Sequence, residues 1–217
     1  MVANRVLWRW GLRDVLPGYY VQRIPVAECG EPLEPILAVP GRLLLDLRFH
    51  QQHLARRSVA GALRRAAELL PDDVQLLVVE AYRSPALQQQ LWSKTHEEIA
   101  GMHPLATPSE IDRLTGLAVA RPGAAGGGHQ TGGAVDITLA DSRGTELWMG
   151  TGVDEFTVTT PLRAAVAHTV SRRRRLLTRC LSEAGFVNYP AEWWHFSMGD
   201  RLWAAYGCHP EARFGPL

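Results

Sequence analysis

The chain has 217 residues, 46% of them hydrophobic and 21% charged, with 23 Lys+Arg against 22 Asp+Glu and a formal net charge of +1. Ordinary hydrophobicity with low net charge excludes a disordered chain, and the charge balance argues against an electrostatic nucleic-acid binder. A chain this long buries roughly 70% of its unfolded surface, so it needs no disulfide or structural metal to fold.

The three cysteines, Cys29, Cys180 and Cys208, are odd in number and far apart, which suits a reducing compartment. The opening segment is broken by Arg5, Arg9 and Arg13 and lacks an apolar core and cleavage site. No stretch approaches the ~18 apolar residues that span a bilayer. These features predict a cytoplasmic protein with no membrane or nucleic-acid partner. Of the 23 basic residues only Lys94 is lysine, as codon bias in a GC-rich genome would produce.

Residues 24–40 carry four prolines and read as extended chain. Leu54 to Leu70 predicts a helix, with Val59, Leu63, Ala66, Ala67 and Leu70 on one stripe. Val74 to Glu80 is a short apolar run of β character, predicted as a buried strand. Pro85 to Ala100 predicts a second helix, with Ser84 as N-cap and proline at the first helical position. Residues 101–128 lack periodicity and end in a glycine-rich run, read either as a surface loop or as an active-site rim. Ala134 to Leu139 alternates as a strand that carries Asp136. Leu162 to Ala184 predicts a long helix closed by Gly185. Its Arg172–Arg175 run reads as a solvated face, since nothing else in the chain adds to a basic patch. Glu192 to Ser197 reads as an aromatic-rich strand. No internal repeat and no linker appear, so the expectation is one α+β domain over residues 1–217: a mostly antiparallel sheet with flanking helices.

Two segments carry chemistry: His129-Gln-Thr-Gly-Gly-Ala-Val-Asp136 and Glu192-Trp-Trp-His195. Together they offer two imidazoles and two carboxylates. Two His and one carboxylate bind Zn²⁺ and leave the fourth tetrahedral position open, as a catalytic zinc requires. Water there has its pKa lowered toward ~7. A second carboxylate beside it can take the proton and return it to a leaving amine. On a regular strand Glu192 and His195 would point to opposite faces, so both reach one ion only if Glu192 lies in a loop after Pro190 or the strand bends. The remaining histidines, His50, His53, His96, His103, His168 and His209, read as backbone-bonded or exposed residues. In Glu80-Ala-Tyr-Arg83-Ser-Pro85, a strand meets a helix. Arg83 there either pairs with a structural acid or points into a cleft.

These motifs resemble the zinc D-alanyl-D-alanine dipeptidases of the VanX type, within the wider group of zinc D,D-peptidases. The matching residues are His129 to Asp136 with Ile137-Thr138-Leu139, Met149-Gly-Thr-Gly-Val-Asp154, Gly185-Phe186 leading into Glu192-Trp-Trp-His-Phe196, Tyr82-Arg-Ser-Pro85 with Gln88, and Glu28-Cys-Gly-Glu-Pro-Leu33. The resemblance covers roughly residues 24–206. It implies one Zn²⁺ per chain held by His129, Asp136 and His195 at the sheet. Glu192 is the implied general base and then acid, Arg83 the donor to the oxyanion, and Asp154 the contact for the ammonium of a free dipeptide. The implied activity is hydrolysis of D-alanyl-D-alanine or a related short D,D-dipeptide in peptidoglycan metabolism.

The chain departs from the family pattern at Gly127, where serine is usual, at Val153, where phenylalanine is usual, and over residues 49–54. The zinc chemistry is therefore expected intact and the substrate pocket altered. The alternatives are a zinc D,D-carboxypeptidase on longer peptidoglycan peptides, a non-haem Fe(II) enzyme, whose triad shares two His and a carboxylate, and a zinc-binding protein without turnover.

Overall fold

Strand β4 (Val74–Glu80) forms where the apolar run predicts it and pairs antiparallel with β5 (Ala134–Asp141), which is buried up to its last residue. A computed structural model describes residues 14–47, 52–123 and 127–217. The opening Arg5, Arg9 and Arg13, the 48–51 stretch with Phe49 and His50, and the centre of the 123–128 glycine run lie outside the described residues.

Before β4 come the short helix α1 (Gly18–Gln22), β1 (Leu33–Pro35), β2 (Leu43–Leu45), β3 (Leu54–Arg56) and α2 (Arg57–Glu68). After it come α3 (Pro85–Met102), α4 (Pro108–Ala118), a 3₁₀ turn (Gly128–Thr131), β5, α5 (His168–Glu183), β6 (Val187–Asn188), β7 (His195–Ser197) and α6 (Arg201–Tyr206). The main sheet has the order β2-β4-β5-β7-β6, with β2 parallel to β4 and every other pair antiparallel. β1 and β3 form a separate antiparallel pair. The protein is thus an α+β fold with a mostly antiparallel sheet, as its sequence predicts.

Side-chain parity divides the sheet into two faces. Leu76 and Val78 stand opposite Leu139 and Ile137, and Phe196 stands opposite Val135. All six lie in the apolar core with Val59, Ala62, Leu63, Ala66 and Ala67 of α2 and Leu177, Cys180 and Leu181 of α5. Full burial of a side chain such as Leu63 stabilises the fold by about 1.5–3 kcal/mol. The opposite face carries Asp136, His195 and Ser197. A register shift between Val78 and Glu80 changes the parity of β4, so Glu80 stands opposite Asp136 on that face.

Several predicted boundaries move. The 54–70 helix splits into β3 and α2, because Leu54 to Arg56 pair with β1. The 162–184 helix begins at His168, with Leu162 in the preceding turn. The strand predicted over 192–197 begins at His195. The aperiodic 101–128 stretch contains α4, set by Pro108 in the first turn and a complete capping box between Thr107 and Glu110. The Arg172–Arg175 run is not uniformly solvated: Arg174 is buried and bonded to backbone carbonyls. Ser84 caps α3 as predicted, accepting a bond from the Leu87 amide.

Candidate active site

Three neighbouring strands deliver the centre of the site. Glu80 of β4, Asp136 of β5 and His195 of β7 lie in one row, each opposite the next. His129 joins them from the 3₁₀ turn, which ends at Gly132 with φ +71°, a backbone state that L side chains rarely adopt. Glu192 lies outside the strand, in the turn before β7, where its amide bonds the Tyr189 carbonyl. That placement meets the geometric demand posed by the Glu192–His195 spacing: the side chain reaches the site because the strand has not yet begun.

Ligand atoms of His129, Asp136 and His195 all lie within 4.8 Å of one another. Nε2 of His129 is 3.3 Å from one Asp136 oxygen, and Nδ1 of His195 is 3.0 Å from the other. Separations near 3 Å are those of atoms that share one ion at ~2 Å bonds. Orientation of each ring is fixed from behind. The Ala81 carbonyl accepts from His129 Nδ1 at 2.8 Å, leaving Nε2 free to ligate. His195 Nε2 lies 3.4 Å from the Ser197 hydroxyl, which donates to Asp200 at 2.8 Å. This donor set, two imidazoles and a carboxylate with rear-side hydrogen bonds, fits a zinc ion.

The charges reinforce one another. Burial opposes ionisation of Asp136, but the two imidazoles outweigh it and hold its carboxyl far below the usual range. Burial would lower His129, yet Asp136 and Glu80 raise it to about 9. Glu192 goes the other way: desolvation first, then the charges of Asp136 and Asp154, push it up to about 7. Its side chain keeps 23% exposure, and Oε2 stands 3.9 Å from His195 Nδ1. A carboxylate near neutrality beside a metal site is suited to accept and return a proton at physiological pH.

Arg83 both pairs with an acid and points into the cleft. Its guanidinium grips Glu80 through two nitrogens and Gln88 through the third, at 3.1 Å. Among the described residues these bonds use three of its five N–H donors and leave two. Asp154 sits on the loop between β5 and α5 with φ +60°, its carboxylate within 4.8 Å of those of Glu80 and Asp136. Desolvation and those two charges raise it to about 6. Since the residue remains exposed on one side, the neighbouring charges are the firmer cause of this rise.

All six predicted site residues therefore meet in one cleft of about 650 Å³, whose walls also include Leu91, Phe156 and Tyr189. A larger groove of about 850 Å³ runs along α5 but contains none of them. Of the other histidines, His53 is buried against the Asp46 carbonyl, His96 faces Asp112 and His209 stacks on Trp203. Three contributors escape the sequence reading: Glu80 as the partner of Arg83, and Ser197 with Asp200 behind His195. Ser197 carries a readable signal, because i and i+2 share a strand face.

The family profile described as D-ala-D-ala dipeptidase, Peptidase M15, matches residues 41–211. A D-alanyl-D-alanine dipeptidase of Synechocystis sp. is 30% identical over 220 residues, covering 83% of this chain and 87% of that protein. A D-alanyl-D-alanine dipeptidase of Escherichia coli K12 is 30% identical over 126 residues, 58% of this chain and 55% of that protein. Among solved structures, a mutant of the vancomycin-resistance D,D-pentapeptidase VanY in complex with Zn(II) shares the fold, at a TM-score of 0.50 and 19% identity over 92% of this chain and 93% of that one. The profile spans most of the chain, including the row of Glu80, Asp136 and His195, and on that basis the chain belongs to the D-Ala-D-Ala dipeptidase family of M15 peptidases.

Proposed function

We propose that this enzyme is a zinc metallopeptidase that hydrolyses D-alanyl-D-alanine or a related short D,D-dipeptide, with His129, Asp136 and His195 as the ligands of one zinc ion. The single observation that carries the reading is the meeting of that ligand set with Glu192, Arg83 and Asp154 in one cleft. Zinc in such a site lowers the pKa of a water molecule and polarises a carbonyl. Glu192 takes the proton of the attacking water and later gives it to the departing amine. The two spare N–H groups of Arg83 meet the negative charge that grows on the carbonyl oxygen, in a cleft where water competes poorly. Asp154, beside Glu80 and Asp136, holds the substrate ammonium. The names of the Synechocystis and Escherichia coli relatives support the same substrate class.

A cytoplasmic site of action is supported by three free cysteines, Cys29, Cys180 and Cys208. No helix among the described residues is long and apolar enough to cross a membrane. A single domain over residues 1–217 is supported by the pairing of Val26 with Ala212, which joins the two ends of the described chain. A role in peptidoglycan metabolism follows from the substrate.

The test is turnover of a panel of D,D- and L,D-dipeptides by zinc-loaded protein, with and without chelator. D,D-dipeptide cleavage that chelator abolishes and zinc restores is the expected result. Cleavage of longer peptides at equal kcat/KM would favour the carboxypeptidase alternative. Restoration of a different reaction by Fe(II) alone would favour the iron one.

A further inference from the structure

Arg174 is a buried cation that the proposed chemistry does not use. It lies on α5 and is 2% exposed. Its Nε donates to the Met149 carbonyl at 2.8 Å, one terminal nitrogen to Pro161 at 2.9 Å, and the other to Thr159 at 2.7 Å. All three acceptors are backbone, and they belong to the two roots of one loop, residues 149–161. Burial alone pushes the guanidinium down to about 10.

The loop between those roots carries Asp154 and Phe156, and both are exposed. At the first root Gly150 has φ +98°, and a Cβ there would come within 3.0 Å of the Arg174 guanidinium. The chain passes that close because glycine occupies the position. Trp193 lies beneath the guanidinium at 5.5 Å and donates from Nε1 to Thr151 Oγ1 at 2.7 Å. The second root is tied to the segment that bears Glu192: the Trp193 amide bonds the Thr160 carbonyl at 3.2 Å, and the Leu162 amide bonds Pro190 at 3.1 Å. One side chain therefore closes the loop, while separate backbone bonds tie its second root to the base-bearing turn. A planar fork with five donors can satisfy three carbonyls from two chain segments, whereas an ammonium on a flexible stem is not pre-organised to do so.

We propose that Arg174 is a positioning residue for substrate recognition: by clamping both roots of the 149–161 loop it sets where the Asp154 carboxylate stands relative to Glu192. This rests on the reading above that Asp154 holds the substrate ammonium. Loss of the clamp then weakens ground-state binding of a free dipeptide while the proton chemistry and the metal ligands, which stand on other elements, are retained.

The experiment compares zinc-loaded parent, Arg174→Gln, Arg174→Lys, Asp154→Asn and the Arg174→Gln/Asp154→Asn double variant. It measures kcat and KM for D-Ala-D-Ala, bound zinc, and amide hydrogen exchange over residues 149–161. For Arg174→Gln the expected result is a KM raised about tenfold or more, the size of a lost charge-assisted bond, with kcat and bound zinc near the parent values. Arg174→Lys should recover part of that loss. Exchange should quicken in the loop and stay unchanged in β5. The double variant should show no KM increase beyond that of Asp154→Asn. An unchanged KM in folded Arg174→Gln, or fully additive effects in the double variant, would overturn the proposal. Should Arg174→Gln not fold, Arg174→Lys, which keeps the charge without the planar fork, is the measured variant, and a KM equal to the parent's would then overturn it. A parent that turns over no dipeptide defeats the substrate reading instead, and loop exchange that is identical in parent and Arg174→Gln defeats the clamp independently of activity.

Discussion

Glu192 and Asp154 are both carboxylates pushed above their ordinary range, and they are predicted to fail in different ways. Glu192→Gln keeps the shape of the turn before β7 and the three ligand side chains, so bound zinc should persist. Dipeptide turnover should fall ~10²–10⁴-fold, the usual worth of general acid–base help, as read from kcat against zinc content. Asp154 must be ionised to hold an ammonium. With its carboxyl raised to about 6, KM for a free dipeptide should rise as pH falls through 6, and Asp154→Asn should flatten that limb. The sign for stability is opposite. A raised acid pKa destabilises the folded state above that pKa and has no effect below the unfolded value, so Asp154→Asn should raise Tm at pH 8 and leave it nearly unchanged at pH 3. N-acetylation of the substrate should abolish cleavage, because it leaves the Asp154 carboxylate desolvated and unpaired.

Helix α4 is held by its start more than by its packing. Thr107 and Glu110 exchange both bonds of a capping box, and the buried face is thin, with Ile111 and Thr115 as its buried residues among those described. Thr107→Ala should cost about 1 kcal/mol of stability by urea denaturation, with kcat/KM unchanged. The same thinness explains why α4 is hard to read: the periodic stripe is weak, and only the Thr-x-x-Glu spacing marks it. Strand β4 was legible because five of its seven residues are apolar and turn signals bound it. The candidate ligand set and Glu192 stood out because histidines and carboxylates stand together beside glycine or aromatic residues. Glu80 was not, since simple alternation from Val78 sends it to the core face, and the register shift that reverses this leaves no mark in the residue types.

Across the whole molecule one side chain joins parts that are far apart in sequence. Arg56, 1% exposed, donates to Thr131 at 2.8 Å, to Glu28 at 3.1 Å, to Gly215 at 3.2 Å and to the Glu31 carbonyl. It thereby binds the 28–31 segment, the turn bearing His129 and the tail into one body. Arg56→Met should cost about 3 kcal/mol or more, since several buried acceptors lose their donor together. It should also loosen the His129 turn, so zinc should be stripped at a lower chelator concentration than in the parent.

The register shift in β4 has a consequence for how this strand can change over generations. Leu76 and Val78 serve the core and Glu80 serves the cleft, and the switch between the two roles is one residue of length. Val79 is only half-buried, so exchange for another β-branched residue is cheap. Its deletion would remove the extra residue of the shift, and plain alternation from Val78 would then carry Glu80 to the cleft face, still opposite Asp136. In a saturation library that contains single-codon deletions, position 79 should accept many substitutions and a loss as well, because the pleat there carries one residue more than its partner strand.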